Sequence, residues 1–147
     1  MMRFTIYILA IIPFILNAQE WELIWSDEFS GSSINSEYWT HEIGTGDWGW
    51  GNGELQYYKS ENIQVIEVPN ENGNNAVQIT AKEESGSEIT DQWGNPLNYT
   101  SGRINTKSKV SVKYGVIETR VLIPDINTGG WPAVWLLGLS NLSWPRN

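Results

Sequence analysis

Carboxylates, indoles and amides dominate the residues able to do chemistry. The chain holds 17 Asp+Glu and 9 Trp, but a single histidine, His41, and no cysteine. Without Cys there is no thiolate nucleophile, thiolate zinc site or disulfide framework. One His excludes a histidine-cluster metal and argues against a Ser-His-Asp triad. The most unusual stretch is Gly44-Thr-Gly-Asp-Trp-Gly-Trp-Gly-Asn-Gly-Glu-Leu-Gln-Tyr-Tyr58. It contains a formal G-x-G-x-x-G at Gly44, Gly46 and Gly49. No apolar strand enters it and no helix follows to present an N-terminus to phosphate, so a dinucleotide site is not supported. Glycines interleaved with Trp48, Trp50 and the amide of Asn52 suggest a loop that brings flat aromatic surface and hydrogen-bonding groups to a rim, with loop packing the equal alternative. Indole faces stack on the C–H faces of sugar rings while amides and guanidinium groups bond the hydroxyls, which points to a carbohydrate ligand. Trp21, Trp25 and Trp39, near strand or turn starts, read as core packing.

The elements that must position these groups are strands. No window beyond Trp21 has helical periodicity, whereas several alternate with period two. In Asn75–Lys82 the apolar Val77, Ile79 and Ala81 alternate with Gln78, Thr80 and Lys82, as in a half-buried antiparallel strand, and Asn72-Gly73 before it is a turn signal. Further candidates are Glu22–Trp25, Ile63–Val68, Gly102–Lys107, Val110–Val112, Tyr114–Ile123 and Trp131–Leu137. Many short strands mean a sandwich or barrel. Within Tyr114–Ile123, Glu118 and Arg120 share a mixed face that either lines a polar groove or is an ordinary solvated charge pair. The polar stretch Glu83–Asn98 reads as a surface excursion.

Length and charge bound the rest. The 147 residues leave room for one domain, and a formal charge of −8 with scattered Lys and Arg argues against nucleic acid as a partner. Met1-Met2-Arg3 followed by the apolar run Phe4–Leu16 resembles a signal peptide, expected to span residues 1–18 with cleavage after Ala18. A retained anchor is the rival reading; the run is short for a membrane span. The mature part, residues 19–147, is then exported to the periplasm or the outside, with no membrane contact after cleavage, and is expected to be a monomer.

Five ordered blocks carry a resemblance. Trp25-Ser-Asp-Glu-Phe-Ser-Gly31, Trp50-Gly-Asn-Gly-Glu-Leu-Gln-Tyr-Tyr58, Ser101-Gly-Arg-Ile104, Tyr114-Gly115 with Glu118 and Arg120, and Gly130-Trp-Pro-Ala-Val-Trp-Leu-Leu-Gly138 resemble successive blocks of glycoside hydrolase family 16, in their laminarinase-like, endo-β-1,3-glucanase form. The resemblance implies an all-β, antiparallel jelly-roll sandwich with a concave glycan-binding cleft. It implies hydrolysis of β-1,3- or mixed-linkage β-glucan with retention, and a β-glucan polysaccharide or oligosaccharide as partner. Asn52 matches a cleft asparagine, Arg103 a cleft arginine, and Trp131 and Trp135 aromatic positions of the cleft floor. No cofactor is required. A structural calcium in the complete protein would be held by the backbone carbonyls of Glu28 and Gly73, with an acidic side chain near the end of the domain completing its shell.

The same resemblance places the chemistry on a strand with E-x-D-x-x-E, the first Glu as nucleophile and the last as acid/base. A retaining glycosidase needs two carboxyl groups about 5–5.5 Å apart. None of the 17 acidic residues falls in that pattern; Trp144-Pro145 resembles the approach to the strand, and its carboxylates are expected just after Asn147. Residues 19–147 are therefore expected to be the N-terminal part of the domain, its sandwich incomplete at the C-terminus, inactive alone and prone to expose apolar faces. The alternatives are a non-catalytic glycan-binding remnant and an inert β-sandwich.

Overall fold

A computed structural model describes residues 20–138 except Ser85 and Ser87. The expected leader and the Trp144-Pro145 dipeptide lie outside these residues. Among the described residues the regular structure is seven short strands: β1 (Thr40–His41), β2 (Gln56–Tyr58), β3 (Ile63–Glu67), β4 (Asn75–Ile79), β5 (Lys82–Glu83), β6 (Tyr99–Ser101) and β7 (Ile104–Asn105). Three single turns of helix accompany them at Gly49–Gly53, Ser60–Asn62 and Ile126–Thr128.

The strongest alternation forms the longest ladder. β3 and β4 pair antiparallel, Ile63 opposite Ile79 and Glu67 opposite Asn75. Their turn uses the expected Asn72-Gly73 signal: Gly73 has φ 79°, and its N–H donates to Glu67 Oε1 at 3.1 Å. β6 is the middle strand of a second sheet, antiparallel to β5 and parallel to β2, with Gln56 opposite Tyr99. The parallel pair departs from the wholly antiparallel expectation, and the long connection it requires contains the whole β3–β4 hairpin. β1 and β7 pair antiparallel, His41 opposite Ile104.

A buried polar staple joins the hairpin to the second sheet. Asn62, 2% exposed, donates from Nδ2 to the Thr80 carbonyl (2.7 Å) and to Thr100 Oγ1 (3.0 Å). Fully buried Thr100 donates to Glu84 Oε1 (2.8 Å), and Lys59 Nζ lies 3.0 Å from Glu84 Oε2. Asn62 and Thr100 thus have the partners that burial demands. Donation from Lys59, ahead of the bond from Thr100, holds the Glu84 carboxyl below the usual glutamate value.

The N-terminal block is organised by one carboxylate. Asp27 accepts the Phe29 N–H at Oδ1 and the Trp39 indole N–H at Oδ2, both at 2.8 Å. Trp25 then meets Tyr38 edge-on at 5.7 Å, and Phe29 tilts against Trp39 at 5.8 Å. None of the three tryptophans expected in the core reaches it: Trp39 is half-buried, Trp25 packs on its neighbours yet stays 36% exposed, and Trp21 is 65% exposed.

Several expected strands are absent among the described residues. Glu22–Trp25, Val110–Val112, Tyr114–Ile123 and Trp131–Leu137 are irregular, and Gly102–Lys107 contracts to β7. A strand exists through ladder bonds to a neighbour, and none of the described segments pairs with these. Most of their apolar residues stay exposed, Leu122 and Trp131 most of all. Arg120 does not pair with Glu118; it reaches the β3–β4 turn and binds both carboxylate oxygens of Glu71, Nη1 to Oε2 at 2.8 Å. No helix among the described residues is long and apolar enough to cross a membrane.

Candidate functional site

Gly102 fixes where the central side chain departs. The residue is buried between β6 and β7, and a Cβ there would run into Ile63 Cγ1, with Ile63 Cδ1 at 2.9 Å and Ile79 Cγ2 at 3.2 Å. Only glycine lets the backbone pass this close to the hydrophobic core. The next residue, Arg103, accepts the Glu42 N–H on its carbonyl at 2.9 Å, which ties it to the end of β1.

The Arg103 side chain is 15% exposed and surrounded by aromatic rings. Its Cζ lies 4.4 Å from the Trp50 ring centroid, 5.5 Å from that of Trp135 and 5.8 Å from that of Tyr58, within cation–π range of all three. Its Nε stands 2.5 Å from Glu42 Oε2, an ion pair by distance whose oxygen has no aligned hydrogen bond. Its Nη1 lies 3.8 Å from Glu54 Oε1. Glu54 Oε2 also accepts from Gln56 Nε2 (2.7 Å) and from the Tyr58 hydroxyl (2.5 Å). Burial first, then the bond to Glu54 and its charge, push the Tyr58 phenol up to about 12.

The Trp50 ring is placed by a turn of unusual hand. Trp48 (φ 54°, ψ 43°) and Trp50 (φ 56°, ψ 27°) are left-handed, as are Gly49 (φ 57°) and Gly51 (φ 83°) between and after them. Long-reach backbone bonds close the turn: Trp50 N–H to Thr45 O at 3.0 Å, Gly53 N–H to Trp48 O and Glu54 N–H to Gly49 O at 3.1 Å each. Gly46 packs on the ring itself, since a Cβ there would sit 2.6 Å from Trp50 Cδ2. Trp50 is consequently 7% exposed.

One guanidinium faces two carboxylates here, so the cluster has no spare positive charge for an anion. A neutral, hydroxyl-bearing ligand suits it better: carboxylate oxygens accept, Gln56 and Arg103 donate, and the rings supply apolar faces.

The structure brings Arg103 and Trp135 together and leaves Trp135 52% exposed. Asn52 is exposed on the left-handed turn two residues from Trp50, and Trp131 is 93% exposed. Glu28 lies in the irregular N-terminal block and Gly73 in the β3–β4 turn. Among the described residues no group of three or more His, Cys, Asp or Glu could hold a metal. Two neutral carbonyls fall short of the six to eight oxygens calcium takes. Glu42, Tyr58 and Trp93 were not expected at a site. Glu42 reaches Arg103 only through the β1–β7 pairing, and Trp93 comes from the polar stretch to meet Trp48 at 5.1 Å.

No family model matches the chain. It is 38% identical over 123 residues to a glucan endo-1,3-beta-glucosidase A1 of Niallia circulans, covering 78% of this chain and 17% of that protein. It is 37% identical over 137 residues to a beta-glucanase of Rhodothermus marinus, covering 88% of this chain and 42% of that protein. Among solved structures, the catalytic domain of an endo-1,3-beta-glucanase (laminarinase) of Thermotoga petrophila RKU-1 superposes with a TM-score of 0.53 at 37% identity, over 67% of this chain and 36% of that one. The chain therefore spans less than half the length of these relatives. Its class is the all-β jelly roll, and it belongs to glycoside hydrolase family 16.

Proposed function

We propose that the whole protein is an exported endo-β-glucanase that cleaves β-1,3- or mixed β-1,3-1,4-glucan with retention, and that this part supplies one wall of the glycan cleft. The observation that carries the reading is the Arg103 guanidinium set among Trp50, Tyr58 and Trp135 beside Glu42 and Glu54. In this proposal Asn52 and Arg103 bond sugar hydroxyls, and Trp131 and Trp135 stack on ring faces. The catalytic pair comes from a segment that is not among these 147 residues. One carboxylate there attacks the anomeric carbon as the glycosidic C–O bond breaks, and the second carboxyl group gives its proton to the departing oxygen. Water then displaces the enzyme carboxylate, its hydroxyl going to the anomeric carbon and its proton returning to the second group. A calcium ion held partly by the Glu28 and Gly73 carbonyls, a monomeric state and removal of residues 1–18 belong to the same proposal.

The test is incubation of the full-length protein with laminarin, following new reducing ends and their anomeric configuration by NMR. Fresh ends appearing first as the β-anomer support it. A soluble, folded protein that retards in a laminarin gel without releasing ends would be a binding remnant; no retardation and no release would overturn the glucan reading altogether.

A further inference from the structure

A second pair of indoles stands apart from the Arg103 cluster. Trp48 and Trp93 meet edge to face, centroids 5.1 Å apart and planes at 65°, yet they remain 73% and 56% exposed. Neither ring is a partner of Arg103. Packing alone is a poor account of two large apolar surfaces left in water, since core indoles give up most of theirs.

Both rings are held in place by their backbones. Trp93 sits in a tight turn built on Asp91, whose Oδ1 accepts the N–H of Trp93 (2.9 Å) and of Asn95 (2.8 Å) and whose Oδ2 accepts the Asn95 side-chain amide (2.8 Å). The Gln92 side-chain amide, oriented with its nitrogen 3.1 Å from Asp47 Oδ1 and its oxygen 3.3 Å from the Trp48 N–H, ties this turn to the left-handed one. Trp48 holds its left-handed backbone where a glycine would fit without strain. The rings therefore lose little freedom when a ligand lands on them. The flanking groups are the carboxylates of Asp47 and Asp91 and the amides of Gln92 and Asn95, with no cation among those four. That chemistry rejects an anion and suits a neutral ring with apolar C–H faces and hydroxyl edges.

We propose that Trp48 and Trp93 form a separate stacking platform for a glucosyl unit of the β-glucan, beyond the units held at Arg103. The proposal rests on the glucan reading above. In this proposal a longer chain engages the platform as well as the Arg103 cluster, so the platform sets a preference for longer substrates.

The experiment titrates the full-length protein with short and long β-1,3-gluco-oligosaccharides by calorimetry, comparing wild type with Trp93→Ala, Trp93→Phe and Trp48→Asn. Asn is chosen at position 48 because it tolerates a left-handed backbone. The expected result is a roughly three- to tenfold loss of affinity for the long oligosaccharide in Trp93→Ala and Trp48→Asn, none for the short one, and recovery in Trp93→Phe. Wild-type affinity for both lengths in the variants overturns the platform while leaving the glucan reading intact. An equal loss at both lengths overturns it too, by assigning the rings a structural role. A wild-type protein that binds neither length overturns the glucan reading and the platform with it.

Discussion

Arg103→Met removes one charge and keeps most of the side chain's bulk. Glu42 and Glu54 are left facing each other's charge, with side chains only 15% and 21% exposed. A unit charge pair at about 4 Å is worth about 4 kcal/mol at an effective dielectric constant of 20. Part of that gain offsets the cost of taking the charges out of water, and the cluster is not fully dry. Discounting the usual cost of breaking a buried pair for this residual exposure leaves a loss of about 2–4 kcal/mol, a drop in the urea midpoint of about 1–2 M. The decisive measurement adds Glu42→Gln and Glu54→Gln to the same protein. If stranded carboxylates cause the loss, the triple variant regains most of it, because neutral amides need no counter-ion. A midpoint shift worth under about 1 kcal/mol in Arg103→Met, or a triple variant less stable than the single one, would refute the reasoning and reduce the cluster to an ordinary surface pair.

Further outcomes follow from other contacts. Gly102→Ala forces Ile63 aside and costs about 1–3 kcal/mol in chemical denaturation, and Ile63→Ala in the same chain recovers part of it, a coupling that independent sites would lack. An absorbance titration shows a late tyrosine component near 12, and Tyr58→Phe deletes it. Because the folded-state value lies above the usual 10, the contribution of the Tyr58 hydroxyl is complete below pH 10 and is lost as pH rises towards 12. For Glu84 the sign reverses: its folded-state value is lowered, so the contribution is complete above the ordinary glutamate range and fades as pH falls through it. Stability of wild type and Glu84→Gln, measured at neutral and acid pH, should therefore converge on acidification.

How much of this was legible in the sequence depended on how local the cause was. The β3–β4 hairpin was legible because its alternation and its Asn-Gly turn are local; Ile63–Val68 matches β3 closely, whereas Asn75–Lys82 starts with β4 but runs past its end at Ile79 to the first residue of β5. β2 and β6 were not, since Gln56–Tyr58 and Tyr99–Ser101 are too short to show a period and pair across some forty residues. Tyr114–Ile123 has the alternation but no ladder partner among the described residues, which shows that pattern permits a strand and pairing makes it. At the site, Arg103 and Trp135 were named from motif blocks and do meet. Glu42 had no signal of its own; only strand pairing brings it there. Trp93 could have been suspected as a lone indole in a polar stretch beside an Asp-x-x-Gly turn.

The turn that carries Trp48 and Trp50 has a stereochemical consequence. Its backbone is the mirror image of an ordinary right-handed turn, so the two L-tryptophans occupy a shape that suits their enantiomers. A chemically synthesised chain with D-Trp at either position would keep the indole while relieving an energy of about 1–2 kcal/mol per residue. The glycines that alternate with them need no such relief, being achiral. Handedness, rather than size or polarity, is what this loop finds hardest to supply from the genetic code.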